Sequence, residues 1–374
     1  MDEENTVFGN KDKKQKQKQE VDEFGRDIGG ALEQGRASRL QIRNNRRKNL
    51  FYDDEYGERE GFWTEDEEEL GSQYEQRQNQ LTQDVEKIFN DAEDDYKSLH
   101  TIKKKLELLK KRYPQAYTDT YISLSVPSLF APYVKVQLVN WNFLKNPKLE
   151  AMQWYKSVSD YGLFGNIKED DPDLDVIPKI VEKVVTPFLT NYFFTVWDPL
   201  SSTLFPATSS LVREVMDHVD GKLENPQKLL STIMDRFYNI VNVHSKSKTV
   251  PEGGTPKSHP QWRFCEFRWW KGLKIIKMLT LWKQHLLEEV IRDLSMSHMA
   301  DNLVPFLLKE MQTKPIDTKK VMLFTTKLNK VLPEDWKRDV QYKILYKGVK
   351  DYWKLCRENG VSAKELASIK ALVK

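Results

Sequence analysis

The stretch DVIPKIVEKVVTPFLTNYFFTVWDPLSS, Asp175 to Ser202, decides the fold. Ile180, Val184, Pro187 with Phe188, and Asn191 with Tyr192 recur at the period of a helix that buries one side. A dense aromatic run then stops at Trp197, and Asp198-Pro199 forbids a further turn. The residue before proline is pushed out of the helical region, and aspartate suits the start of a turn. Trp197 therefore reads as a core anchor at the end of a helix. The alternative is an exposed contact for another protein. Lys179, Glu182 and Lys183 interrupt the apolar run, so it does not read as a membrane span. Just upstream, Asp171, Asp173, Asp175 and Glu182 occupy positions 1, 3, 5 and 12 of a calcium loop, but Val176 stands where that loop needs glycine. The plainer reading is an acidic helix start, with carboxylates near the positive end of the helix dipole.

Helical spacing continues on both sides. Leu229, Ile233, Met234, Phe237 and Ile240 form one apolar series, and Trp269, Leu273, Ile276, Leu279, Leu286, Val290 and Leu294 another. Alternating strand patterns are almost absent, so the expected fold class is all-α. The segments Ala131-Pro132-Tyr133-Val134, Thr186-Pro187-Phe188-Leu189 and Val304-Pro305-Phe306-Leu307 form a weak internal repeat, and Trp141-Asn142 and Trp197-Asp198 follow the first two. Stacked helical hairpins in a solenoid-like array would explain it. Upstream, Leu81, Val85, Ile88, Ala92, Leu99, Ile102, Leu106, Leu109 and Tyr113 alternate by four and three, with one missing beat at Asp95. This predicts a long coiled-coil-type helix over 74–114, packed on its own body or paired with a partner or a second copy. Pro114 closes it.

Residues 1–73 read as a disordered charged tail, because blocks of like charge cannot bury enough apolar surface to offset chain entropy. Arg36 to Lys48 carries six basic residues and no acid, and Asp53 to Glu69 carries ten acidic residues and one basic. Arg39, Arg43, Arg46, Arg47 and Lys48 form a candidate nuclear-import or nucleic-acid patch. Thr64, directly before acids, is a candidate site for an acid-directed kinase. The expected division is thus tail 1–73, heptad helix 74–114 and helical domain 115–374, with a loop at 244–260. The whole chain has 374 residues, a net charge of +3 and two cysteines, Cys265 and Cys356. No disulfide framework is implied, and the acidic N-terminus does not read as a signal peptide.

Chemistry is largely missing. The histidines form no metal-ligand spacing, PEGGTPKS lacks the phosphate-loop spacing, and no nucleophile elbow occurs. The expectation is no catalytic, metal or cofactor site, and no enzyme. Trp262 to Lys283 interleaves aromatic and basic residues. It reads either as an amphipathic core helix or as a face for RNA or DNA.

YISLSVPSLFAPYVKVQLVNWNFL, LEAMQWYKSVSDYG, DDPDLDVIPKIVEKVVTPFL and VWDPLSS, in that order, closely resemble the GCFC domain. This helical domain is shared by the GC-rich sequence DNA-binding factor, the Pax-binding protein and tuftelin-interacting protein. WWKGLKIIKMLTLW and HMADNLVPFLL are similar to the same family. On that resemblance Trp141, Trp154, Tyr155, Trp197, Asp198 and Pro199 are the motif positions, structural or in contact with partners. The chain lacks a glycine-rich G-patch, so it looks like the GC-rich factor and Pax-binding branch. The resemblance implies a nuclear adaptor in pre-mRNA splicing and spliceosome disassembly. Its partners would be a tuftelin-interacting-type G-patch protein and a DEAH-box helicase, with any RNA contact indirect. The alternative it implies is a transcriptional regulator that binds GC-rich DNA or a Pax-type factor. Direct DNA reading ranks lower, because the matching segment offers no helix-turn-helix, zinc pattern or strongly basic recognition helix.

Overall fold

A computed structural model describes residues 67–163, 170–247, 250–314 and 316–371. Among the described residues every regular element is helical. Residues 1–66 lie outside them, and with them the basic patch of Arg39, Arg43, Arg46, Arg47 and Lys48 and the candidate phosphosite Thr64. The last residues of the expected tail, 67–73, are already helical.

The long helix expected over 74–114 is instead two helices, α1 (Glu67–Lys87) and α2 (Leu99–Arg112). They are separated by a turn and a short 3-10 segment, Asp94–Tyr96. The break falls where the heptad misses its beat. Glu93, Asp94 and Asp95 have no apolar face to bury there. Ser98 restarts the helix, its hydroxyl accepting from the Thr101 backbone N–H at 3.2 Å. No continuous seam runs from Leu81 to Tyr113, since Leu81, Ile88, Leu109 and Tyr113 are exposed. The inward side of α2 carries Leu99, Lys103, Leu106 and Lys110.

Two compact units follow, and the span 115–374 is divided between them. The first comprises Glu65–Ile240 with Leu281–Ile291. Its helices begin with α1, α2, α3 (Pro114–Asp119), α4 (Ile122–Val139) and α5 (Gln153–Val158). After these come α6 (Val176–Ile180), a π-helical turn at Val181–Val185, α7 (Thr186–Thr195) and α8 (Phe205–His218). The second unit comprises Val241–Thr280 with Arg292–Lys374 among its described stretches. It holds α11 (Glu288–His298) from Arg292 on, a second π turn at Met299–Leu303, α12 (Val304–Gln312) and α13 (Thr318–Val331). α14 (Val340–Glu358) and α15 (Ala363–Ala371) complete it. The division falls inside α9 (Glu224–Ser245) and α10 (Pro260–Trp282).

In the first unit Val126, Phe130, Val134 and Leu138 of α4 are buried, as are Ile180, Val181, Val185, Leu189 and Phe193. The second unit is centred on α10, whose Trp269 stacks on Phe324 of α13 at 4.3 Å between ring centroids. Trp262, Trp269 and Trp282 are all buried, and so is Arg268. The Trp262–Lys283 stretch is therefore a core helix and offers no open stacking groove. Between α9 and α10 the connecting loop is held at Lys257, whose ammonium donates to buried Glu310 at 2.8 Å.

Two of the three repeated proline segments share a device that periodicity could not show. Thr186-Pro187 and Val304-Pro305 each follow a π-helical turn. Proline has no N–H and crowds the preceding turn, so a wider turn relieves the clash and leaves carbonyls short of donors. In the first case the Thr186 hydroxyl donates to the Val181 carbonyl at 2.8 Å and Asn225 of α9 donates to the Glu182 carbonyl at 3.2 Å. In the second, the Asn302 amide donates to the His298 carbonyl at 3.2 Å. In the third segment Pro132 sits inside regular α4 with Pro127.

Candidate partner-docking surface

The region to weigh is the first unit, where the motif residues cluster. A polar hub fixes its geometry. The Tyr117 hydroxyl pairs with that of Tyr161 at 2.7 Å and donates to Asp173 at 3.1 Å. Lys110 donates to both Asp171 and Asp173 at 2.7 Å, and Lys103 bonds Asp160. Burial, followed by the Tyr117 hydrogen bond, drives the Tyr161 phenol far above its usual range. Asp160 is held below the usual carboxylate range, first by its hydrogen bond to Lys103. Gly162 turns the chain at φ +76°, and a Cβ there would lie 2.8 Å from Asp173 Cβ. Glycine is thus required where the chain itself passes against Asp173. The calcium-like carboxylates Asp171 and Asp173 share the Lys110 ammonium, and Asp171 also caps the 3-10 turn through the Asp173 N–H at 3.1 Å. Among the described residues no cluster of His, Cys, Asp and Glu has the makings of a metal site.

The motif residues divide into two groups. Trp154 is fully buried; its backbone N–H donates to Gln137 at 2.8 Å and its ring meets Tyr155 edge-on. The His218 Nδ1 donates to the Glu214 carbonyl at 2.7 Å, so the Nε2 accepts the Tyr155 hydroxyl at 3.0 Å. Trp197 is 2% exposed and meets Phe193, Phe237 and Trp282 edge-on, with centroids 5.0, 5.7 and 5.3 Å away. Asp198 accepts from the Leu200 N–H at 3.0 Å, the turn that ends the segment, and Pro199 is buried behind it. Trp154, Trp197 and Pro199 are thus interior, Tyr155 is half-buried and Asp198 is exposed at the turn.

Trp141 differs. It is half-buried, its indole N–H donates to the Asn146 carbonyl at 3.0 Å, and it lines an open groove of about 630 Å³. Val85, Phe89, Asn140 and Gln153 also line it, with Val136 and Gln137 of α4. The groove continues from α4, the one helix among the described residues long and apolar enough to cross a membrane. Its Val126, Phe130, Val134 and Leu138 side is buried in the first unit, as in a core helix. The opposite arc exposes Tyr121, Leu124 (56%), Leu129 (47%) and Val139, and Lys135 is the only charge in the helix. An exposed apolar helix face of this kind is where protein partners dock. Ser125, Ser128 and Lys135 are exposed on the same arc, and the four motif segments did not single it out, because its leucines read like those of a covered side.

Among the described residues the geometry is that of an all-helical protein with an exposed arc of leucines on α4. Residues 99–253 match the GCFC family, described as GC-rich sequence DNA-binding factor-like protein. The chain is 27% identical over 69% of its length to mouse Intron Large complex component GCFC2, covering 34% of that protein. It is 26% identical over 76% of its length to human PAX3- and PAX7-binding protein 1, covering 32% of it. The Transcriptional repressor ILP1 of Arabidopsis thaliana is 28% identical over 53% of the chain, which covers 22% of that relative. The chain thus spans about a third or less of these relatives.

Proposed function

We propose that the protein is a non-enzymatic nuclear adaptor that acts in pre-mRNA splicing through its GCFC domain. The observation that carries this is the exposed apolar arc of α4, inside the segment that matches the GCFC family, in a chain similar to an Intron Large complex component. An adaptor needs such a surface, whereas an enzyme needs a cluster of perturbed ionisable groups around a cavity. The finer reading is that the partners are a tuftelin-interacting-type G-patch protein and a DEAH-box helicase, with spliceosome disassembly as the outcome. The second reading is transcriptional regulation through GC-rich DNA or a Pax-type factor, and the names of the Pax-binding and repressor relatives favour it.

Affinity capture of the tagged chain from nuclear extract, with and without nuclease, separates these. A G-patch protein and a helicase that survive nuclease support the adaptor reading. Chromatin or Pax-type factors in their place move the function to transcription. The same capture tests the surface. The double variant Leu124→Asp, Leu129→Asp is expected to melt within about 0.5 kcal/mol of the parent, as exposed substitutions do. It should lose partner recovery by about tenfold or more, the scale of a lost interface anchor. Unchanged recovery would remove α4 as the docking face.

A further inference from the structure

α14 lies outside the matched domain and carries a surface that the adaptor reading does not use. Its buried side is Leu345, Val349, Tyr352 and Cys356. At about 100° per residue, Lys343, Lys347, Lys350 and Lys354 fall within about 60° of arc on the opposite side, spread over about 16 Å of axis. All four are exposed. Lys354 faces Asp351 at 3.3 Å, while Lys343, Lys347 and Lys350 have no ion-pair partner among the described residues. Ile344 and Tyr346 stand exposed on either flank of the row, and Val340 at its start is 72% exposed. Arg357 closes the far end, with its guanidinium over the Trp353 ring.

We infer that this face binds a single strand of RNA, with the lysines on successive phosphates and Tyr346 against a base. One narrow row of charge follows one backbone; a duplex presents two. Unpaired like charges along a helix are self-repulsive, and a polyanion removes that repulsion with release of its counterions. An aromatic beside the row supplies the stacking that single-strand binders combine with a basic track. An acidic peptide would match the charge but not the stacking that an exposed ring offers a base. The inference stands whether or not the chain joins a splicing assembly.

The test is fluorescence anisotropy of the full chain with a fluorescein-labelled single-stranded RNA of about 20 nucleotides, longer than most single-strand site sizes. Titrations run between about 50 and 200 mM salt, the range over which phosphate contacts are most visible. The triple variant Lys343→Gln, Lys347→Gln, Lys350→Gln should flatten the slope of log affinity against log salt by about 2, at about 0.7 per phosphate on a single strand. Tyr346→Ala should weaken binding about 5- to 100-fold with the slope unchanged. Photo-crosslinking of a thiouridine-bearing strand to the 340–358 peptide, read by mass spectrometry, checks the site without any variant. Parental affinity and slope in the triple variant would overturn the inference. So would crosslinks confined to other helices, or tighter binding of GC-rich duplex than of the single strand.

Discussion

Trp197→Ala is expected to lower the free energy of unfolding by about 3–5 kcal/mol, the range for truncating a buried tryptophan. The indole sits at the centre of an aromatic cluster in the first unit, between Phe193 and Phe237, with Trp282 edge-on at 5.3 Å. Trp282 in turn meets Phe205 at 5.7 Å and His285 at 5.6 Å. Removing the indole leaves a cavity that these rigid rings cannot collapse into. Its backbone carbonyl, which accepts from the Arg236 guanidinium at 2.7 Å, stays in place. Denaturant unfolding measures the loss. The Trp197→Ala, Trp282→Ala pair should be non-additive, because each ring packs on the other. A Trp197→Ala protein that unfolds like its parent but loses a partner would make the residue a surface contact and contradict the packing.

The second large effect is loss of stability on mild acidification. In the second unit His244 and His298 lie ring against ring at 4.9 Å, both buried. The His244 Nε2 donates to the Arg268 carbonyl at 2.9 Å, while the Arg268 guanidinium donates back to the His244 carbonyl. His298 accepts from the Asn302 amide at Nδ1, at 3.2 Å. The close approach depends on Gly272, where a Cβ would lie 2.6 Å from Leu303 and 3.2–3.3 Å from the two rings. Burial, then the Arg268 charge and the neighbouring His298, push His244 down to about 3. Burial and Arg268 push His298 down to about 4. Both values lie below the ordinary 6.5, so between those limits the unfolded chain takes up protons that the folded chain refuses. The stability these neutral rings contribute is therefore complete above about pH 6.5. It is lost as pH falls toward 4 and then 3. At about pH 5 each histidine should have cost roughly 2 kcal/mol, about 4 kcal/mol together. His285, lowered by burial and by Arg213, adds to the same trend. Denaturant midpoints between about pH 7.5 and 5, above the range where carboxylates titrate, measure it. His298→Gln should remove about half of the pH slope. A parent with a flat profile over that range would show that the two rings titrate normally.

Both cores were partly legible. Trp197 could be assigned to a helix end because Asp198-Pro199 is a local signal and needs no other part of the chain. The helical class followed in the same way, from apolar residues three and four apart. The His244 and His298 pair could not be found, since its members are 54 residues apart and in no motif spacing. Neither could the surface on α4, where Leu124 and Leu129 are exposed beside Ser125, Ser128 and Lys135, so that apolar character did not mark the covered side.

The charges of α2 show the division most sharply. The sequence by itself determined that Leu99 to Arg112 is a helix and that Pro114 ends it, because propensity, spacing and proline geometry act between near neighbours. It also suggested which residues face inward, and there it misled: the heptad pointed to Leu109 and Tyr113, which are exposed. Only the tertiary structure placed Lys103 and Lys110 on the inner face, by bringing Asp160, Asp171 and Asp173 to them from 57 to 63 residues away. A lysine is costly to bury alone and tolerable once a carboxylate meets it. Glu107 of α2 meets Lys103 from one turn away at 3.5 Å, but the carboxylates that meet Lys110 arrive only with the fold of the whole unit, which no window of α2 contains.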